Sequence, residues 1–461
     1  MADDIRVSHP NFLFIIADQF RYDHIQAAGA DFVSTPHLNR LLKHGMHFTH
    51  SFTNCPLCAP ARISLATGIR PELAGAMDNS SYLSLTNPTM YMRLRDHGYR
   101  VAMVGKHDLA KSDHFRGQRG NRPLAYAYGF TDPHETLGKM EAGKIGQPFC
   151  PYTTLLERQG WLEQFVNDYR HRQAKGWIKG VSHGSILPEE LYHDTYIGRY
   201  ATQWLREIDG DFPWFFHVGF IGPHDPFDPP SSYENQYKDK QMPSHIPAVL
   251  EDKPQWHQQR RLTMSKDEVN HTRQQYAAEV QLLDEHIGAM LEVLEQRGML
   301  DQTIIIFTSD HGEMLGDHLM YTKGVAYDSA IRVPLIFSGP GIPKDHTTDA
   351  LVELMDLNPT IMDYAGIPPQ QGIEARSLMP ILQNPVENKT HRSCIVSMMR
   401  NWRLVRDHTY KYVENFNDRY ELYDLHEDPS ELLNCIDEHP DMVRTYSRML
   451  NEEAIKGAYW V

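Results

Sequence analysis

The sequence lacks the features that would cross-link it, anchor it in lipid or draw it to nucleic acid. Five cysteines in 461 residues are few and odd in number, so no disulfide framework is expected. That usage fits a reducing, cytoplasmic compartment. The longest apolar runs, such as residues 12–17, fall far short of the ~20 residues a membrane span needs, so no membrane is expected as a partner. The opening Met1-Ala2-Asp3-Asp4-Ile5-Arg6 shows no basic stretch followed by an apolar one, so no secretory signal is read there. The glycosylation-type triplets at Asn79, Asn270 and Asn388 are accordingly read as chance matches. Positive charge is outnumbered: 45 Lys and Arg against 60 Asp and Glu give a formal net charge of -15, which excludes the basic footprint of a nucleic-acid binder. A local cationic pocket for a small anion stays open in such a chain. Neither an internal repeat nor a low-complexity tract is present, and nothing in the sequence addresses the oligomeric state.

What is present reads as alternating strands and helices. Short continuous apolar runs at 12–17, 99–104, 214–218, 303–308 and 333–337 have the pattern of strands buried on both faces. Amphipathic stretches separate them. The clearest spans 275–297, with Tyr276, Val280, Leu283, Ile287, Leu291 and Leu294 at three- and four-residue steps and Gly298 as a stop. The expected fold class is α/β, a large mainly parallel sheet flanked by helices. Residues 111–210, rich in Gly, His, Arg and Tyr, are expected to form insertions around the sheet. Within them Tyr126, Tyr128, Phe130 and Trp161 are candidates to line a carbohydrate pocket, against the plainer reading that they are core. After the loops near Pro368 and Pro385 the character changes to short alternating strands. We expect a catalytic domain over 1–385 and a small α+β domain over 386–461 with antiparallel strands and a final helix.

In a parallel α/β sheet, ligands bind beyond the carboxyl ends of the strands. The first predicted strand ends in Asp18-Gln19, the second in Gly105-Lys106-His107-Asp108, the third in Pro223-His224-Asp225-Pro226, and the fourth in Ser309-Asp310-His311-Gly312-Glu313. One Asp after a strand is ordinarily a turn or a cap. Four such endings deliver acids, a lysine and histidines to one rim. Asp18, Asp310 and His311 suggest one divalent metal, and two carboxylates favour a hard cation: Ca²⁺ first, with Mn²⁺ and Mg²⁺ as alternatives. Cys58 forms a C-x-x-C pair with Cys55, which taken alone also admits a redox dithiol, half a zinc site, or a buried structural cysteine.

The run Cys58-Ala59-Pro60-Ala61-Arg62, followed by Thr67-Gly68, resembles the signature of the sulfatase family, within the alkaline-phosphatase-like superfamily. The resemblance continues through Asp18, Gly105-Lys106, Pro223-His224, 309–318, Lys323, 333–336 and the C-terminal Glu421-Leu422-Tyr423-Asp424-Leu425 with Asp428-Pro429 and Glu431. It implies that Cys58 is oxidised by a maturation enzyme to formylglycine. The hydrated aldehyde of that residue attacks sulfur through one hydroxyl and releases sulfate with help from the other. It further implies Asp18, Gln19, Cys58, Asp310 and His311 at the metal. Gln19 stands where many relatives carry a second Asp. Arg62 would hold the diol or the metal carboxylates, Lys106 and Lys323 would grip the sulfate, and His224 would hydrogen-bond the sulfate or protonate the leaving oxygen. Many sulfatases place a histidine two residues after the Gly-Lys lysine. Here Asp108 stands there, so either His107 takes that role or Asp108 contacts the substrate.

The function this resemblance implies is hydrolysis of a saccharide or small organic sulfate ester, choline sulfate being a narrower case. A phosphonate monoester or phosphodiester hydrolase is the closest alternative, because such enzymes share the Asp-Gln pair, the cysteine and the Asp-His-Gly-Glu run. Lys106 speaks for sulfate. A non-catalytic metal- or glycan-binding relic is the reading from another class.

Overall fold

The computed structural model describes residues 9–458. Its centre is an eight-stranded sheet in the order His346–Thr348, Gly45–Phe48, Leu335–Ser338, Thr303–Ser309, Asn11–Ala17, Trp214–Phe220, Arg100–Gly105, Asp132–Glu135. All neighbours pair in parallel except Leu335–Ser338, which runs antiparallel to both of its partners. The apolar runs have the predicted cause. Leu13, Ile15 and Ala17 enter the core on one face of the sheet, and Phe12, Phe14 and Ile16 the core on the other. Helices cover both faces, as right-handed crossovers between parallel strands require.

Three elements differ from expectation. The run 333–337 is two strands: Arg332–Val333 pairs with Ser51–Phe52 in a three-stranded sheet, and Leu335–Ser338 enters the main one. Pro334 lies between them, with no amide hydrogen for a ladder and its carbonyl accepting from Thr308 Oγ1 (2.8 Å). The helix expected over 275–297 is Lys266–Gln296. Its polar first turns hide it from a periodicity count, but the capping box of Ser265 and Glu268 marks its start. Residues 111–210 carry substantial helices, including Leu162–Ala174 and His193–Glu207, and a small apolar core of their own around Tyr152, Phe165 and Tyr169.

The C-terminal part is a four-stranded antiparallel sheet, Ile395–Met399, Trp402–Arg406, Tyr410–Asn415 and Glu421–Asp424, followed by the helix Pro440–Ala458. Among the described residues no helix is long and apolar enough to cross a membrane, and no disulfide is formed.

The four strands whose ends carry the chemistry are adjacent and parallel. Ala17 is level with Phe220 and with Ser309, and Gly105 with Gly219. Their carboxyl ends therefore open on one rim. At that rim Gly105 has φ 89°, and a Cβ there would stand 2.0 Å from the carbonyl oxygen of Gly219. The glycine before Lys106 is thus required by the close approach of two strands.

Candidate active site at the strand ends

Cys58 is the first residue of the helix Cys58–Thr67, with Pro60 in its first turn. It is fully buried. Its Sγ lies 3.3 Å from His311 Nε2 and 3.8 Å from Asp18 Oδ1. One ligand atom from each of Asp18, Cys58, Asp310 and His311 can be chosen so that all four lie within 4.8 Å of one another. His311 Nδ1 is bonded to its neighbour's carbonyl, Gly312 O (3.0 Å), which leaves Nε2 facing the group. Two buried carboxylates, an imidazole nitrogen and the residue-58 side chain form a donor set that fits a divalent cation.

The carboxylates are held by cations. Arg62 Nε donates to Asp310 Oδ2 (2.8 Å), its Nη1 to Lys106 O (2.8 Å), and its Nη2 stands 3.8 Å from Asp18 Oδ2. Lys106 Nζ bonds Asp18 and lies 3.1 Å from Asp108 Oδ2. Burial pushes the Asp18 pKa up, but Lys106, His224, Arg62 and Lys323 together hold it well below the usual carboxylate range. Burial and Asp18 push the Cys58 thiol up in the same way, and Lys106, Lys111 and Lys323 bring it well below its ordinary value. The site is therefore built to favour negative charge at residue 58, with the helix N-terminus adding to the effect.

Across the rim, Lys323 Nζ donates to Gln19 Oε1 and to His224 Nε2, the latter at 2.5 Å. His224 Nδ1 is fixed by Asp225 O at 2.6 Å, so its Nε2 faces Lys323 and the cavity that both line. Gln19 sits at φ 70°, a strained backbone for a non-glycine residue. Its amide nitrogen donates to Asp225 Oδ1 (3.1 Å) and Glu313 Oε2 (2.6 Å). Both ends of the Gln19 side chain are thus engaged by other side chains, beside the donor group.

The structure does not bring His107 to this cluster. Lys106 and Asp108 face the site, with a left-handed turn at Asp108 (φ 56°), and His107 turns into the protein. Its Nε2 lies 3.2 Å from Glu135 Oε1, its Nδ1 accepts from Leu109 N (3.0 Å), and its ring packs on Phe130. Glu135 also meets Arg122 and Arg116, so His107 belongs to a buried ionic knot beneath the loop. The aromatic pocket expected in the insertion is not assembled either. Tyr128 and Phe130 are core, Tyr126 is exposed, and Trp161 borders a separate groove with Tyr196 and Tyr200.

Three residues at the site were given no role there by the sequence. Lys111 Nζ lies 3.1 Å from Asp108 Oδ2. Asn79 Oδ1 accepts from Ala59 N (3.1 Å) beside Cys58, and Asp225 anchors Gln19 and His224. Only Asp225 had a signal, its place after a strand. Cys55, by contrast, packs its Sγ 3.5 Å from Met399 Sδ and forms no disulfide with Cys58. Cys55→Ala should keep turnover within about twofold, since only a small buried sulfur is lost, at a stability cost of about 1 kcal/mol. Steady-state kinetics and thermal melting check this.

A mostly parallel sheet covered on both sides thus carries, at its strand ends, a buried donor cluster beside a helix N-terminus. The chain belongs to the sulfatase family and is by class a sulfuric ester hydrolase: the sulfatase family model matches residues 10–367. A model for the C-terminal region of N-sulphoglucosamine sulphohydrolase matches residues 316–455. The chain is similar to a choline-sulfatase of Rhizobium meliloti, 28% identical, with 98% of this chain and 87% of that protein covered. It is also similar to an arylsulfatase of Clostridium perfringens, 25% identical, with 96% and 94% covered. In fold it resembles the phosphonate monoester hydrolase of Agrobacterium radiobacter, with a TM-score of 0.77, 24% identity, and 97% and 96% of the two chains covered.

Proposed function

We propose that this protein hydrolyses a sulfate ester of a carbohydrate or small organic molecule, using one divalent metal, Ca²⁺ first, and a formylglycine made from Cys58 by a maturation enzyme. The observation that carries the reading is the placement of Cys58 between the donor group of Asp18, Asp310 and His311 and the two lysines, Lys106 and Lys323. A metal held by Asp18, residue 58, Asp310 and His311, with Gln19 beside it, would lower the pKa of the attacking hydroxyl supplied by the hydrated aldehyde. The chain's own residues do the rest. Lys106 and Lys323 bind and orient the sulfate oxygens as point charges. Arg62 holds both metal carboxylates in place. His224 Nε2, fixed through Nδ1, delivers a proton to the leaving oxygen. Asp108 holds Lys106 and Lys111 at the cavity wall. Residues 1–385 form the catalytic domain of this reading and 386–461 the small C-terminal domain. Five cysteines without a disulfide are in keeping with a cytoplasmic site of action.

His224→Asn should lower kcat by about 100-fold on a poor leaving group such as an alkyl sulfate. The loss should be much smaller on 4-nitrophenyl sulfate, whose phenolate leaves without a proton. An equal loss on both would remove His224 from the acid role.

Gln19 favours a second reading, hydrolysis of a phosphonate monoester, because it replaces a charged carboxylate at the rim. Lys106 is the feature against it. Assays of matured protein with an aryl sulfate and with a phenyl phosphonate decide: kcat/KM higher for the sulfate is expected, and the reverse order overturns the first reading.

A further inference from the structure

The cavity lined by Lys106, His224 and Lys323 is larger than a sulfate group requires, and its wall is charged. Its volume is about 460 Å³, in the range that takes a small ligand whole. Lys106 and Lys323 stand at its inner end, and Lys111, His114, Glu141 and Lys144 lie farther along its lining. These charges do not cancel. Asp108 is shared between Lys106 and Lys111, each at 3.1 Å, and Lys106 also holds Asp18, so those two lysines are matched by two carboxylates; the surplus lies in the lining itself, where five lysines face the two carboxylates Glu141 and Asp225. Glu141 is taken by His114 Nδ1 at 2.8 Å. Lys144 has no carboxylate partner among the described residues. Its Nζ lies instead over the ring of Trp177, 5.8 Å from the centroid. Trp177 has φ 74°, a backbone region that a bulky residue rarely occupies. The aromatic ring is held in place at a cost in backbone strain, and Lys144 rests on it at the cavity wall.

We propose that Lys144, seated on Trp177 and supported by Lys111, forms a second anion subsite, so that the preferred substrate carries a carboxylate or a further sulfate besides the sulfate that is cleaved. The assignment rests on the sulfate-ester reading above and adds the class of its organic part. A surplus cation at the cavity wall attracts an anionic group and repels a cationic one. The same wall therefore disfavours choline sulfate. The acids lining the cavity, Glu141 and Asp225, are already paired, to His114 and to Gln19 and His224.

The test uses matured full-length protein, wild type and the variants Lys144→Ala and Lys144→Glu. The substrates are phenyl sulfate, its 3- and 4-carboxy analogues, and choline sulfate. Leaving-group differences cancel when the ratio of kcat/KM for a carboxylated substrate over phenyl sulfate is compared between proteins. In the wild type one carboxylated analogue should exceed phenyl sulfate by about tenfold, the scale of one charge-assisted contact, and choline sulfate should rank last. Lys144→Ala should shrink that ratio about tenfold, and Lys144→Glu should push it below one. A wild-type ratio near one, a ratio that survives Lys144→Glu, or a preference for choline sulfate overturns the subsite while leaving sulfate hydrolysis intact. Turnover of no sulfate ester at all removes the underlying reading, and the subsite with it. Melting curves of the three proteins, expected to coincide because Lys144 is exposed, separate a lost contact from a lost fold.

Discussion

Cys58→Ala lowers turnover of an aryl sulfate by about 10⁴-fold or more, the scale of removing a nucleophile from an enzyme whose binding site stays intact. The fold should tolerate the change, because residue 58 sits in the first turn of a helix and the substitution removes one buried sulfur. Cys58→Ser is the more informative partner. A serine Oγ can form a bond to sulfur as the ester oxygen leaves and takes up a proton. It has no second hydroxyl on the same carbon to expel sulfate afterwards. The expected result is a burst of phenol near one equivalent, then a stall, with the mass of one sulfate added to the peptide bearing residue 58. Steady turnover by Cys58→Ser would show that the geminal hydroxyl is not needed.

The second large effect falls on the donor group. Asp310 Oδ1 accepts from the Gln19 and His311 amides at 3.1 and 3.0 Å, and Oδ2 accepts from Arg62. Asp310→Ala removes a candidate metal ligand and leaves the Arg62 guanidinium, wholly buried, facing Asp18 alone. Loss of one partner of a buried pair costs about 3–5 kcal/mol, so the melting temperature should fall along with turnover, which drops by about 10³-fold or more. Chelation of the wild type distinguishes the two causes. It should abolish turnover without altering the covalent chain and lower the melting temperature, because a ligand at 100 times its Kd stabilises the folded state by about 2.7 kcal/mol. Adding back Ca²⁺, Mn²⁺ and Mg²⁺ separately, with metal content measured beside activity, should restore both, Ca²⁺ most fully. Full activity in chelator would remove the metal from the account.

Much of the site's frame was legible because its cause is local. A strand buried on both faces must be a continuous apolar run, and the residues just after that run stand at the rim. Asp18, Lys106, His224 and Asp310 could be read in that way. The motif around Cys58 added the helix N-terminus. What escaped depends on distant partners. His107 and Asp108 are adjacent in sequence, and which of them faces the cavity is decided by Glu135, on the neighbouring strand, with Arg116 and Arg122. Lys111 and Asn79 reach the site from loops with no periodic pattern. The split of the strand at Pro334 had a local signal, the missing amide hydrogen, as did the helix start at Ser265 and Glu268. Both were outweighed by the apolar pattern around them. The aromatic residues of the insertion misled for a related reason: composition does not say whether Tyr128 and Phe130 face a ligand or the core, and here they fill the core.

The most direct test of the central claim is the chemical state of residue 58 measured against activity. The protein is expressed with and without a formylglycine-generating enzyme. The fraction of aldehyde in the peptide bearing Cys58 is read by mass spectrometry, and kcat on an aryl sulfate is measured on the same samples. The account predicts that kcat rises in proportion to the aldehyde fraction and extrapolates to nearly zero for the thiol form. Full turnover by protein that carries only the thiol at Cys58 would contradict it.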